Sequence, residues 1–192
     1  EKISDLLNLK NPTVAPYANL EEVKLRITAR AKNKVEATNI IKPIKEKLKQ
    51  DFSKFIFGED HDTLPSVLIK ELALRNQNIV FAESCTGGLL SSSITSIPGS
   101  SKVFQGSIVS YSNELKNSLL NISEEKLTKY GAVSEEVCES MAINVKEKLG
   151  ADWAIAISGI AGPNGGSQDK PVGLVYISIS GPNNHIINIK KL

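Results

Sequence analysis

Hydrophobic and polar positions follow two different rhythms along this chain, and the change between them divides it. Over 22–29 (Glu-Val-Lys-Leu-Arg-Ile-Thr-Ala) apolar residues recur at every second position, the pattern of a half-buried strand. Over 35–52, Ile40, Ile41, Ile44 and Leu48 recur at helical spacing, with Pro43 as an irregularity inside the helix. Asn11-Pro12 and Ala15-Pro16 punctuate an extended entry, and Phe55-Ile56-Phe57 reads as a second strand. These elements make a small α+β module, followed by the polar linker 58–63.

From 64 onward strands and helices alternate. A helix over 64–76 carries Val67, Leu68, Leu72 and Ala73 on its apolar face, with Thr63 or Asp62 as cap and Pro65 in its first turn. The short apolar run 79–82 suits a buried strand, and a helical pattern (Leu89, Leu90, Ile94, Ile97) follows the turn after it. A strand within 103–112 leads to helices at 114–120, capped by Asn113, at 123–130, and at 134–149, stopped by Gly150. A third strand at 152–158 precedes a hairpin, 172–180 with 186–189, joined through Gly181-Pro-Asn-Asn184. The reading is therefore an α/β protein: a layered α/β/α domain over 64–192 with a largely buried sheet, behind the α+β module of 1–63.

Composition sharpens the boundary more than the chemistry. The chain has 192 residues, and all 13 glycines lie at Gly58 or beyond. Its net charge of +2 divides into 12 Lys/Arg against 9 Asp/Glu in 1–60 and 11 against 12 in 61–192, and neither half is basic enough to argue for nucleic acid. Lys42, Lys45, Lys47 and Lys49 read as a solvated helix face; a KH module that clamps RNA uses a GxxG loop, and 1–57 has no glycine to build one. No apolar run is long enough to span a membrane and no signal peptide opens the chain. Cys85 and Cys138 are the only cysteines, without a CxxC or metal-ligand spacing, which fits a reduced, cytoplasmic protein with neither metal nor cofactor. The start at Glu1, without methionine, reads as a piece of something longer.

Three strand ends carry polar clusters: Ser84 to Gly88, Tyr111 to Lys116, and Ser158 to Gly162. In open α/β sheets ligands gather outside the carboxyl ends of strands, so the three can share one crevice. The turn Glu83-Ser84-Cys85-Thr86-Gly87-Gly88 between strand and helix suits a phosphate, a carboxylate or a developing oxyanion, and equally an ordinary tight βα loop. His61 lies in the linker and His185 beside the hairpin turn, leaving a Ser-His-Asp triad without a base. Glu83 and Glu114 are the only carboxylates near the clusters. What remains is a hydroxyl nucleophile with a lysine base, and Ser84 with Lys116 is the natural pair. Ser84 reads as nucleophile or as helix cap, Cys85 as rival nucleophile or packing residue, Lys116 as base or solvated lysine, and Trp153 as core.

The motifs as a set go further. Ala82-Glu-Ser-Cys-Thr-Gly-Gly88, Pro98-Gly-Ser-Ser101, Val109-Ser-Tyr-Ser-Asn113 with Lys116, Gly131-Ala-Val-Ser134, Gly150-Ala-Asp152, and Ser158-Gly-Ile-Ala-Gly-Pro163 followed by Lys170-Pro-Val-Gly173 resemble the C-terminal domain of the CinA (competence/damage-inducible) proteins. Asn11-Pro-Thr-Val-Ala-Pro-Tyr17 and Gly58-Glu-Asp60 resemble the KH-like connecting domain of full-length members, which a molybdopterin-binding-like domain precedes. The resemblance implies a nicotinamide mononucleotide amidohydrolase of pyridine-nucleotide salvage, with a small-molecule nucleotide substrate, no nucleic acid, no membrane, no metal, and a homo-oligomer, a dimer or more. By motif it makes Ser84 the nucleophile, Lys116 its base and Tyr111 an active-site hydroxyl. It gives Thr86, Gly87, Gly88, Ser112, Ser158, Gly159, Ala161 and Gly162 to oxyanion or substrate binding. Family members continue past the last strand with an arginine-bearing loop and a closing helix, whereas this sequence stops at Lys190-Lys191-Leu192. The rival expectation is a nucleotide-binding regulatory module without catalysis, using the same crevice.

Overall fold

The computed structural model describes residues 3–19 and 22–192. It forms two compact units, 1–61 and 62–192. In the first, α1 (Ser4–Leu7) is followed by β1 (Thr13–Ala18), β2 (Val23–Thr28) and α2 (Lys34–Asp51). Asn33 caps α2 by accepting from Glu36 N, while the Glu36 carboxylate accepts from Lys32 N, so both ends of this first turn are closed. Leu6, Val14 and Leu48 are its buried core, with Leu25, Ile27, Ile44 and Phe52 packed around them. The partner of β2 is β1 and not 55–57, which forms a turn and irregular chain after α2. Pro16 is tolerated in β1 because a two-stranded ladder has only edge strands, where a missing N–H faces away from the partner. Of Lys42, Lys45, Lys47 and Lys49 on α2, Lys45 and Lys49 pair with Glu59 and Lys47 with Asp51, as a solvated charged face does.

The second unit opens with α3 (Leu64–Leu74), capped by Thr63, whose hydroxyl accepts from Ser66 N while Ser66 Oγ accepts from Thr63 N. Then follow β3 (Ile79–Glu83), α4 (Leu89–Thr95), β4 (Phe104–Val109), α5 (Asn113–Leu120), α6 (Glu124–Tyr130), α7 (Glu135–Leu149), β5 (Trp153–Gly159), β6 (Val175–Ser180) and β7 (Ile186–Lys191). The sheet order is β4-β3-β5-β6-β7, parallel where β3 meets β4 and β5, antiparallel from β5 to β7. Ser112, not Asn113, caps α5, because its hydroxyl accepts from Leu115 N three residues on. No helix among the described residues is long and apolar enough to cross a membrane.

Topology decides where a site can form. The chain steps from β3 to β4 in one direction and from β4 back past β3 to β5 in the other. Right-handed crossovers then put α4 on one face and α5–α7 on the opposite one. The packing follows: Val80, Ala82, Ala154 and Ala156 meet Val137, Cys138, Met141 and Val145 of α7, while Ile79 and Phe81 meet Ile69, Leu72 and Ile94. Alanines on the strands let α7 sit close to the sheet. Adjacent parallel strands whose outgoing connections leave to opposite faces open a crevice at their carboxyl ends, here between β3 and β4.

Candidate active site

Ser84 and Lys116 meet in that crevice. Lys116 rides on α5 with its side chain 1 % exposed, and its Nζ lies 3.0 Å from Ser84 Oγ, 2.7 Å from the Ser110 carbonyl and 3.2 Å from the Tyr111 carbonyl. Three acceptors match the three N–H of an ammonium. They match a neutral amine equally well: two N–H go to the carbonyls and the lone pair faces the Ser84 hydroxyl. Burial pushes Lys116 below the ordinary lysine range, and only the neighbouring Cys85 sulfur pulls it back up. A buried lysine held by two carbonyls, with no carboxylate to keep it charged, is arranged to give up its proton. The chemistry this allows is removal of the Ser84 proton.

The loop behind Ser84 is organised by Glu83, the last residue of β3, which is fully buried. Its carboxylate accepts from Gly88 N at 3.0 Å, Leu90 N at 3.1 Å and Ser91 N at 2.9 Å, and from the Ser91 hydroxyl. Burial raises this carboxyl, but the Ser91 and Thr86 hydroxyls and the backbone N–H of Ser91 and Leu90 outweigh it and hold it below the ordinary glutamate range. Thr86 Oγ1 stands beside the carboxylate without a hydrogen bond of good geometry. Gly87 and Gly88, at φ of 58° and 105°, allow the chain to fold back over it. Gly87 N donates to Ser84 O and Leu89 N to Thr86 O. The N–H groups of Gly87 and Gly88, expected from the sequence to hold an oxyanion or phosphate, are thus committed within the loop.

Among the described residues the backbone N–H groups of Cys85 and Thr86 donate to no backbone carbonyl, and both lie close enough to the Cys85 thiol to favour its ionised form. Burial nevertheless pushes that thiol up, which leaves it protonated beside the more strongly placed Ser84. The signal for these donors was in the strand-turn-helix pattern itself, where the residue after a nucleophile supplies an oxyanion N–H.

The other sequence candidates divide. Tyr111 gives Lys116 its carbonyl, and its side chain is exposed. Ser112 serves α5 as its cap. Ser158 is buried, its hydroxyl donating to the Ala132 carbonyl at 2.8 Å, so it ties β5 to the turn after α6 rather than facing solvent. Ala161 is exposed and Gly162, at φ 80°, packs against Val172. Gly159 is the backbone wall of the site: a Cβ there falls 2.8 Å from Leu174 O, 2.9 Å from Val175 Cγ2 and 3.2 Å from Cys85 Sγ. Gly159→Ala is expected to cost about 1–3 kcal/mol and displace the Cys85 loop, read as a lowered urea midpoint with unchanged m-value.

A family model described as the CinA C-terminal domain matches residues 61–192, and one described as the damage-inducible protein CinA KH domain matches residues 1–58. The CinA-like protein of Prochlorococcus marinus (strain AS9601) is 89% identical over 192 residues, which is 100% of this chain and 45% of that protein. The CinA-like protein of Gloeothece citriformis (strain PCC 7424) is 50% identical over 186 residues, again 45% of its length, so the chain spans less than half of these curated relatives. The crystal structure of competence/damage inducible protein CihA from Agrobacterium tumefaciens superposes with a TM-score of 0.66 at 37% identity, covering 71% of this chain and 82% of that one. With motifs, fold and relatives in agreement, the chain belongs to the CinA family, carrying its KH domain over 1–58 and its C-terminal domain over 61–192.

Proposed function

We propose that the second unit hydrolyses a carboxamide, and that its substrate is nicotinamide mononucleotide, giving nicotinic acid mononucleotide and ammonia. The observation that carries the reading is the buried amine of Lys116, 3.0 Å from Ser84 Oγ and otherwise held only by two carbonyls. The substrate itself rests on the family resemblance of the motifs.

Neutral Lys116 takes the Ser84 proton as Oγ adds to the carboxamide carbon, and the carbonyl π electrons pass to oxygen. The Cys85 and Thr86 N–H groups, which among the described residues donate to no backbone carbonyl, hold that oxyanion. Collapse of the adduct breaks the C–N bond while the Lys116 ammonium returns its proton to the departing nitrogen, so ammonia leaves and an ester remains on Ser84. Water then adds to the ester, its proton passing through Lys116 to Ser84 Oγ as the acid is released. Incubation of the protein with nicotinamide mononucleotide tests the reading: ammonia and the carboxylate are expected in equal amounts. Binding without release of either product instead assigns a nucleotide-binding module.

A further inference from the structure

One hydroxyl beside the Ser84–Lys116 pair is left unused by the amidohydrolase reading, on which the inference here rests. Glu83 pairs with Val109 on one side and with Ile157 on the other. Both ladders run one residue further, with Ser110 N donating to Glu83 O at 2.8 Å and Ser84 N to Ile157 O at 3.1 Å. Ser110, Ser84 and Ser158 are therefore neighbours across the ends of β4, β3 and β5. Ile108, Ala82 and Ala156, each two residues earlier, pack in the cluster under α7, so all three serines face the side of α5–α7.

The three hydroxyls have different fates. Ser84 Oγ meets Lys116 Nζ at 3.0 Å, and Ser158 Oγ donates to the Ala132 carbonyl at 2.8 Å. Ser110 is fully buried, and its Oγ has no hydrogen-bond partner among the described residues. Its backbone is committed at both ends: the N–H goes to Glu83 O and the carbonyl takes Lys116 Nζ at 2.7 Å. Only the side chain is left to turn. A buried hydroxyl without a partner costs stability, and an alanine in its place does not carry that cost. Such a group calls for a partner at another stage of the reaction.

Ser84 Oγ is the partner in reach. Residues side by side on neighbouring strands stand about 4.8 Å apart, and side-chain rotation closes that gap to a hydroxyl–hydroxyl bond of about 2.8 Å. We propose that Ser110 donates a hydrogen bond to Ser84 Oγ while that oxygen exchanges its proton with Lys116, and so stabilises the electron density that gathers there. In attack, Oγ loses its proton to Nζ and bonds the carboxamide carbon. In release of the acid the C–Oγ bond breaks, and Oγ keeps the electron pair and takes a proton from Nζ. Ser110 keeps its own proton throughout. The oxyanion formed from the carbonyl is a different atom, left to the Cys85 and Thr86 N–H groups.

The test measures ammonia release from nicotinamide mononucleotide by the parent, Ser110→Ala and Ser110→Thr, together with the urea midpoint of each. Ser110→Ala is expected to lower kcat by about tenfold to a hundredfold and to change KM by less than about twofold, while its urea midpoint equals or exceeds that of the parent. Ser110→Thr keeps the hydroxyl and is expected to retain most of kcat. An alanine variant with the kcat of the parent overturns the inference. So does one with a lowered urea midpoint, which makes the hydroxyl a structural tie. A threonine variant as slow as the alanine variant, yet as stable as the parent, overturns it too, because the loss then comes from packing around Lys116. In these three cases the amidohydrolase reading stands. A parent protein that releases no ammonia overturns that reading and this inference together.

Discussion

Lys116→Met is expected to reduce amide hydrolysis by about a thousandfold or more while leaving a folded protein. Methionine matches the buried stem of the lysine but has no site for a proton, so Ser84 keeps its hydrogen and attacks only weakly. Lys116→Arg is expected to fail equally, because a guanidinium cannot lose its proton in a protein. The parent also has a predictable pH dependence. Burial places the folded value of Lys116 below that of an unfolded lysine. Activity should therefore rise with pH as Lys116 loses its proton, levelling off before the ordinary lysine range is reached. Stability carries the same signature. Between the folded and the ordinary value the unfolded chain binds more protons than the native one, so stability rises with pH across that window, and below it the charged amine is buried at a cost. Lys116→Met should lack both the activity limb and this alkaline gain, measured as kcat/KM profiles and melting curves in parallel. A variant that keeps the parent's activity limb removes Lys116 from the reaction.

The second large effect falls on stability. Glu83→Gln is expected to destabilise the second unit by about 3 kcal/mol, although Glu83 lies off the reaction path. The carboxylate collects three backbone N–H groups and a hydroxyl at the start of α4, and the Ser91 hydroxyl is in turn hydrogen-bonded to that of Ser107 at 2.8 Å. Glutamine turns one acceptor into a donor that faces other donors in a fully buried place. Because the folded value of Glu83 is depressed, its contribution is complete above the ordinary glutamate range and is lost as the pH falls through the lower folded value. The gap in urea midpoint between parent and Glu83→Gln should accordingly be widest near neutrality and narrow in acid. A gap independent of pH would assign the loss to shape rather than charge.

The pairing of Ser84 with Lys116 was legible because sequence order and handedness leave few arrangements. Both follow the carboxyl ends of strands, those strands prove adjacent and parallel, and elimination of histidine and carboxylate bases left one partner. The role of Glu83 was not. An acidic residue ending an apolar run looks like the first polar position of a loop, and only the fold shows it turned inward beneath its own helix, taking the N–H groups of Gly88, Leu90 and Ser91. In the first unit, β1 was obscured by Pro12 and Pro16, which local rules read as punctuation, whereas Phe55-Ile56-Phe57 has strand composition but follows α2 too closely to return to the sheet. The α5 cap was misplaced by one residue because Ser112 and Asn113 are both good caps, and side-chain geometry alone chooses between them. Ser158 reads by motif as a substrate-binding residue, yet the side-chain alternation along β5 points it toward Ala132.

The central claim is that Ser84 attacks an amide with Lys116 as its base. The measurement that meets it most directly is ammonia release from nicotinamide mononucleotide by the parent and by Ser84→Ala, with circular dichroism confirming that both are folded. Release by the parent alone, with the alanine variant at least about a thousandfold slower, is the predicted result. Equal release by both proteins would contradict the assignment and place the chemistry elsewhere in the crevice.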